Sequence, residues 1–157
     1  MISPEKLAWM YETTYRTLKL NLRGVTDEES RQRPEPAGNS INWVVGHLLL
    51  TRVLMLSFTP SKEENLGEGL AVYNRGADQE YKAGDLLPLS ELVERIARTQ
   101  ELLQEWLITL DDEALAQQIR EDSTLEERLI FLYFHEGYHV GQLGLLRRFV
   151  GRPGAIK

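Results

Sequence analysis

The sequence predicts an all-α protein, a four-helix bundle formed by a single domain over residues 1–157. Three observations point to it. Four segments carry apolar residues at intervals of three and four, no segment alternates with the period of a strand, and no internal repeat is present. A chain of 157 residues is the size of one ordinary domain with a sufficient core.

The first helix is expected to start at Ser3-Pro4, a capping hydroxyl followed by proline at the first helical position. Leu7, Tyr11, Thr14, Leu18 and Leu22 then mark its inner face, and Gly24 ends it. Thr26-Asp27-Glu28-Glu29 has the pattern of a capping box and predicts one short turn. Pro34 and Pro36 force a loop. Ser40 can cap the second helix, roughly 41–58, whose apolar residues cover most of its circumference and predict deep burial. Thr59 to Pro88 is a polar connection long enough to run the length of a helix, so the helices it joins could be parallel neighbours. Tyr73, Asn74, Arg75 and Tyr81 are its candidates for a lid; a solvated crossover is the simpler expectation. The third helix is expected from Ser90 to about Leu110 along the stripe Leu92, Val93, Ile96, Gln100, Leu103 and Leu107. Asp111 to Asp122 reads as a connector with one helical turn. Ser123-Thr124-Leu125-Glu126 reads as a second capping box, opening a fourth helix that runs to about Phe149.

Charge and composition narrow the function. The net charge is −6 and the pI about 5.2, which argues against nucleic acid or an anionic membrane as partner. There is no cysteine, so disulfides, thiolate metal sites and cysteine nucleophiles are excluded, and a metal must be held by His, carboxylate and water. The first ten residues hold Pro4, Glu5 and Lys6 without the apolar core of a signal peptide, and the run Trp43–Phe58 is too short and polar to span a bilayer. The expectation is a cytoplasmic protein acting on a small molecule.

The chain has three histidines. His135 and His139 lie four residues apart in the fourth helix, about 40° apart around its axis, so both can reach one ion. His47, on the second helix, can supply a third nitrogen, which makes a three-His site with room for water. The alternative is three independent structural histidines. His135-Glu136-Gly137-Tyr138-His139 also spells the H-E-x-x-H string of zinc peptidases, but no Asp, Glu or His follows His139 to complete that ligand set. Glu136 points inward by its angular position. It can act as general base, as acceptor for a ligand histidine or as an ion-pair partner. Gln142 can hold a ligand or substrate, or face a neighbouring helix. Asn42, Trp43 and Arg52 flank His47, and Arg52 either reaches the rim or meets an anion. Tyr138 is angularly distant from the ligands and is expected to pack. The outer face of the fourth helix, with Ile130, Phe134, Gly137, Gly141 and Leu145, is apolar and glycine-rich, so burial is expected there too. The cover is either the first helix or crossover of the same chain, or a second subunit, making a homodimer.

Gly46-His47 together with His135-x-x-x-His139-x-Gly141-Gln142 resembles the DinB/YfiT-like superfamily of metal-dependent enzymes, and the resemblance extends over nearly the whole chain. It includes the acidic turn after the first helix, the approach Ile41-Asn42-Trp43 and the long middle connection. The resemblance implies an up-down-down-up helix order and a divalent ion, nickel or zinc, on His47, His135 and His139. It also implies S-transferase or isomerase chemistry with a low-molecular-weight thiol such as bacillithiol, mycothiol or glutathione. Many members carry a basic residue after the last histidine, where this chain has Val140. Activation of a thiol or of water, with Glu136 handling the proton, is the leading expectation. A non-catalytic metal-binding stress-response bundle and a helical interaction protein are the rivals.

Overall fold

A computed structural model describes residues 2–35, 38–60, 65–76 and 81–156. It is mainly helical. Helix α1 spans Pro4–Leu22, α2 Asp27–Ser30, α3 Ile41–Leu56, α4 Leu89–Leu107, α5 Asp112–Ala116 and α6 Leu125–Phe149. Ser3, Thr26, Ser40 and Asp111 accept from backbone N–H groups at the starts of α1, α2, α3 and α5, so local capping chemistry sets these boundaries. The capping box of α6 is formed one residue later than the sequence suggests. Thr124 and Glu127 make it, which leaves the Glu126 carboxylate to accept from the Ile2 backbone N–H. Helix α4 starts at Leu89 behind Pro88 and stops at Leu107, and α3 stops at Leu56, two residues short of expectation.

The connector before α6 holds an element that the sequence does not signal. Gln118–Arg120 pairs antiparallel with Ser123–Thr124 in a minimal two-stranded ladder. Pairs this short carry no readable alternation.

The four long helices pack through α1 on α6, α3 on α4, α1 on α4 and α3 on α6. Cross-helix hydrogen bonds give their relative sense. Asn42 donates to the Leu87 carbonyl and Arg52 to Gln100, so α3 and α4 advance together. Tyr11 reaches the Leu129 carbonyl and Asn21 the Val140 carbonyl, so α1 and α6 also advance together. Gln104 bonds the Ala8 carbonyl and Gln100 bonds Glu12, so α1 and α4 oppose.

The core divides into two apolar clusters. One is built from Leu18, Ile41, Leu48, Leu92, Ile96 and Leu143 among others, the second from Leu7, Tyr11, Met55, Leu103, Leu129 and Leu132. Buried Thr14, Arg52, Gln100 and Glu136, one from each long helix, lie between the two in sequence on every helix. The middle connection is less solvated than expected. Leu70 and Tyr73, on a 3-10 turn Leu70–Tyr73, and Leu86 beyond it belong to the first cluster. Tyr73 is therefore a core residue and not part of a lid, while Asn74 and Arg75 are exposed. Residues 61–64 and 77–80 of this connection lie outside the described residues. Among the described residues no helix is long and apolar enough to cross a membrane.

Candidate metal centre

Three imidazoles meet where α3 faces α6. His135 Nε2 lies 3.3 Å from His47 Nε2 and 3.1 Å from His139 Nε2. His139 is buried, whereas His47 and His135 are partly exposed. Among the described residues, these three form the group of donor side chains able to hold an ion.

The orientation of two rings is set from behind. His47 Nδ1 sits 2.8 Å from the Tyr73 carbonyl, which can only accept, so Nδ1 carries a proton and the ring turns its Nε2 toward the other two. His139 Nδ1 donates in the same way to Gln142 Oε1 at 2.7 Å, and Gln142 Nε2 donates onward to the Tyr138 hydroxyl at 3.3 Å. Both partners stand where outer groups orient metal-bound histidines. The Trp43 indole, one turn before His47, stacks on its ring at 4.9 Å and 8°. Gly46 lets Tyr73 come close enough. A Cβ there would lie 2.2 Å from the Tyr73 ring, so a side chain would push Tyr73 and its carbonyl away from His47.

Burial pushes the His139 imidazole down to about 4, and burial followed by the neighbouring His47 lowers His135. Both rings are therefore neutral near pH 7 and offer lone pairs. Lone pairs facing one another at about 3 Å repel, and no single proton on His135 Nε2 can bridge both neighbours well. A divalent ion resolves the conflict. Tetrahedral nitrogen ligands at about 2.0–2.1 Å stand about 3.3 Å apart, close to the separations found. The donor set thus fits a divalent metal.

The other residues singled out in the sequence fall elsewhere. Glu136 is buried and turned to a different partner. Arg52, fully buried, donates to Glu136 Oε2 at 2.9 Å and to Oε1 at 2.7 Å, and the Thr14 hydroxyl also donates to Oε1. Arg52 spends its remaining reach on Gln100 Oε1 at 2.8 Å. It therefore neither reaches the rim nor awaits an anion, and of the three roles open to Glu136 this geometry is that of an ion-pair partner. Asn42 is buried too, but it braces the scaffold: it donates to the Leu87 carbonyl and accepts from the Tyr73 hydroxyl. Tyr138, expected to pack, is exposed and lies edge-on to His139 at 5.2 Å. The Tyr73 carbonyl could not be found from the sequence, because it is backbone 26 residues from its partner. The Trp43 stack could, from its i,i+4 spacing.

A family model described as the DinB superfamily matches residues 10–143. No curated protein matches the sequence. Among solved structures, a conserved protein from Enterococcus faecalis is similar in fold, with a TM-score of 0.74 at 17% identity, over 96% of this chain and 98% of that one.

Proposed function

The chain belongs to the DinB superfamily, and on that premise we propose that it is a metal-dependent enzyme acting on a small molecule through His47, His135 and His139. The observation that carries this reading is the convergence of three Nε2 atoms, two of them oriented from behind, with no fourth His, Asp or Glu in the group among the described residues. Three protein ligands leave a coordination position free for a reacting molecule, whereas a structural site fills all four. Nickel or zinc suits a nitrogen-rich set of this kind. When bound, such an ion supplies a Lewis acid that increases the acidity of a low-molecular-weight thiol or a water, the step needed for S-transfer or hydrolysis.

The chain's own residues position that chemistry. Tyr73 and Gln142 hold the proton on Nδ1 of His47 and His139, and Trp43 fixes the plane of His47. Glu136 does not handle the proton in this reading, because Arg52 and Thr14 already occupy its carboxylate. The sense of the cross-helix hydrogen bonds supports an up-down-down-up four-helix bundle, in which α3 and α6 run in opposite directions and present His47 to the His135–His139 pair.

Elemental analysis of protein purified without a metal-binding tag tests the site. About one nickel or zinc per chain is expected, and His139→Ala should lower affinity by more than about 100-fold. Unchanged metal in the variant removes the site. A thiol-conjugation screen on the metallated protein then separates catalysis from metal storage: turnover that disappears with the metal supports the enzyme, and a fully metallated protein without turnover of thiols or hydrolysable esters favours the non-catalytic bundle.

A further inference from the structure

The outer face of α6 is bare. Phe131 is 52% exposed, Phe134 67%, Tyr138 58%, Leu145 69% and Phe149 48%. Nothing among the described residues lies within 4 Å of a Cβ built on Gly137 or Gly141. Neither α1 nor the described part of the crossover covers these side chains.

Its spacing is that of a helix seam. Phe131, Phe134, Tyr138, Gly141, Leu145 and Arg148 follow one another at intervals of three, four, three, four and three, the a/d pattern by which one helix packs along another. Aromatic side chains present about 150–250 Å² each, so the exposed parts of the seam, Leu145 and the adjoining Phe149 included, come to roughly 450–600 Å² of apolar surface. That is the upper end for the largest patch on a monomer and close to the roughly 600 Å² per partner from which specific interfaces begin.

We propose that this face is the twofold interface of a homodimer, with α6 antiparallel to α6 of a second copy and Tyr138 at the axis. The seam complements itself in that register and direction. Phe134 of one copy meets the gap at Gly141 of the other, beside a groove of about 410 Å³ between α1 and α6 whose lining includes Thr13, Thr17, Gly137, Gly141 and Gly144. Phe131 meets Leu145. At the ends Glu127, whose carboxylate also caps α6 at Thr124, meets Arg148, and among the described residues neither side chain is in an ion pair of its own chain. A parallel pairing would instead set Phe134 on Phe134, Gly141 on Gly141 and Arg148 on Arg148, with like charges opposed. Tyr138 also accepts from Gln142, the residue that holds His139, so the interface abuts the outer end of the metal centre's hydrogen-bond chain.

Sedimentation of the full chain from about 1 to about 200 µM should show a dimer with a micromolar or tighter Kd. Phe134→Asp, at an exposed position, should raise that Kd by about 30-fold or more, and Gly141→Leu, which fills the gap, should do the same. The chain has no cysteine, so disulfide trapping has no background. Tyr138→Cys should cross-link with itself under oxidation. Glu127→Cys should not cross-link with itself, but should do so with Arg148→Cys. A monomer throughout the concentration range overturns the proposal, whatever else then binds this face. So does a dimer insensitive to Phe134→Asp, and self-cross-linking of Glu127→Cys overturns the antiparallel register.

Discussion

Two polar clusters bridge α3 and α6, and they differ in one respect that decides what each can do. In the first, Arg52, Glu136, Gln100 and Thr14 pair donors with acceptors: the guanidinium meets both carboxylate oxygens and the Gln100 amide oxygen, and the Gln100 amide N–H goes on to Glu12. In the second, His47, His135 and His139 turn their Nε2 nitrogens toward a common point. His135 and Glu136 are sequence neighbours, yet one belongs to each cluster. A closed network needs nothing from outside and serves to hold the bundle in register, whereas converging lone pairs call for a cation. The difference separates structural polarity from functional polarity more clearly than burial does, since Glu136 and His139 are both buried.

Opening the closed cluster should have the largest effect. Glu136→Ala leaves a buried guanidinium uncompensated and should cost about 3–5 kcal/mol in chemical unfolding of the metal-free protein. The double variant Arg52→Met/Glu136→Leu should recover most of that loss, since well-packed apolar pairs often match a buried ion pair. A small loss in Glu136→Ala would mean that water already reaches the pair and that the two clusters are not so different.

Gly46→Val attacks the second cluster through its support. The added side chain must displace the Tyr73 ring, at a cost of about 1–3 kcal/mol in stability, and should weaken metal binding by about 10–100-fold by moving the Tyr73 carbonyl off His47. Competition with a chromogenic chelator reads the second number directly. If only stability changes, the carbonyl is not what orients His47.

The smallest expected effect is that of Gln142→Leu. It removes the acceptor for His139 Nδ1 without touching the core and should weaken the metal about 10-fold with little change in unfolding. Equal metal affinity in this variant would place Gln142 with the scaffold instead of the site. Together these variants test whether one cluster moves stability alone and the other moves metal.

Much of this was legible before folding. The helix starts follow from Ser3-Pro4, Thr26 and Ser40, because capping is a contact within one turn of chain. The His135–His139 pair follows from the helical period for the same reason. The pairing of Arg52 with Glu136 did not follow, because 84 residues separate them and the sequence alone equally allowed an arginine meeting an anion. Nor did the anchoring of His47, since its partner is a backbone carbonyl and any residue type carries one. The seam on α6 was visible as an apolar face, but whether the chain's own α1 would cover it depended on how the helices assemble.

By itself, then, the sequence determined what is local: helix period, caps, the absence of thiol ligands, and three histidines placed on two helices. Only the tertiary structure decided which polar groups neutralise one another and which are left to converge. That choice depends on the relative sense and register of helices far apart in the chain, set by the summed packing of two apolar clusters and not by any single stretch of residues.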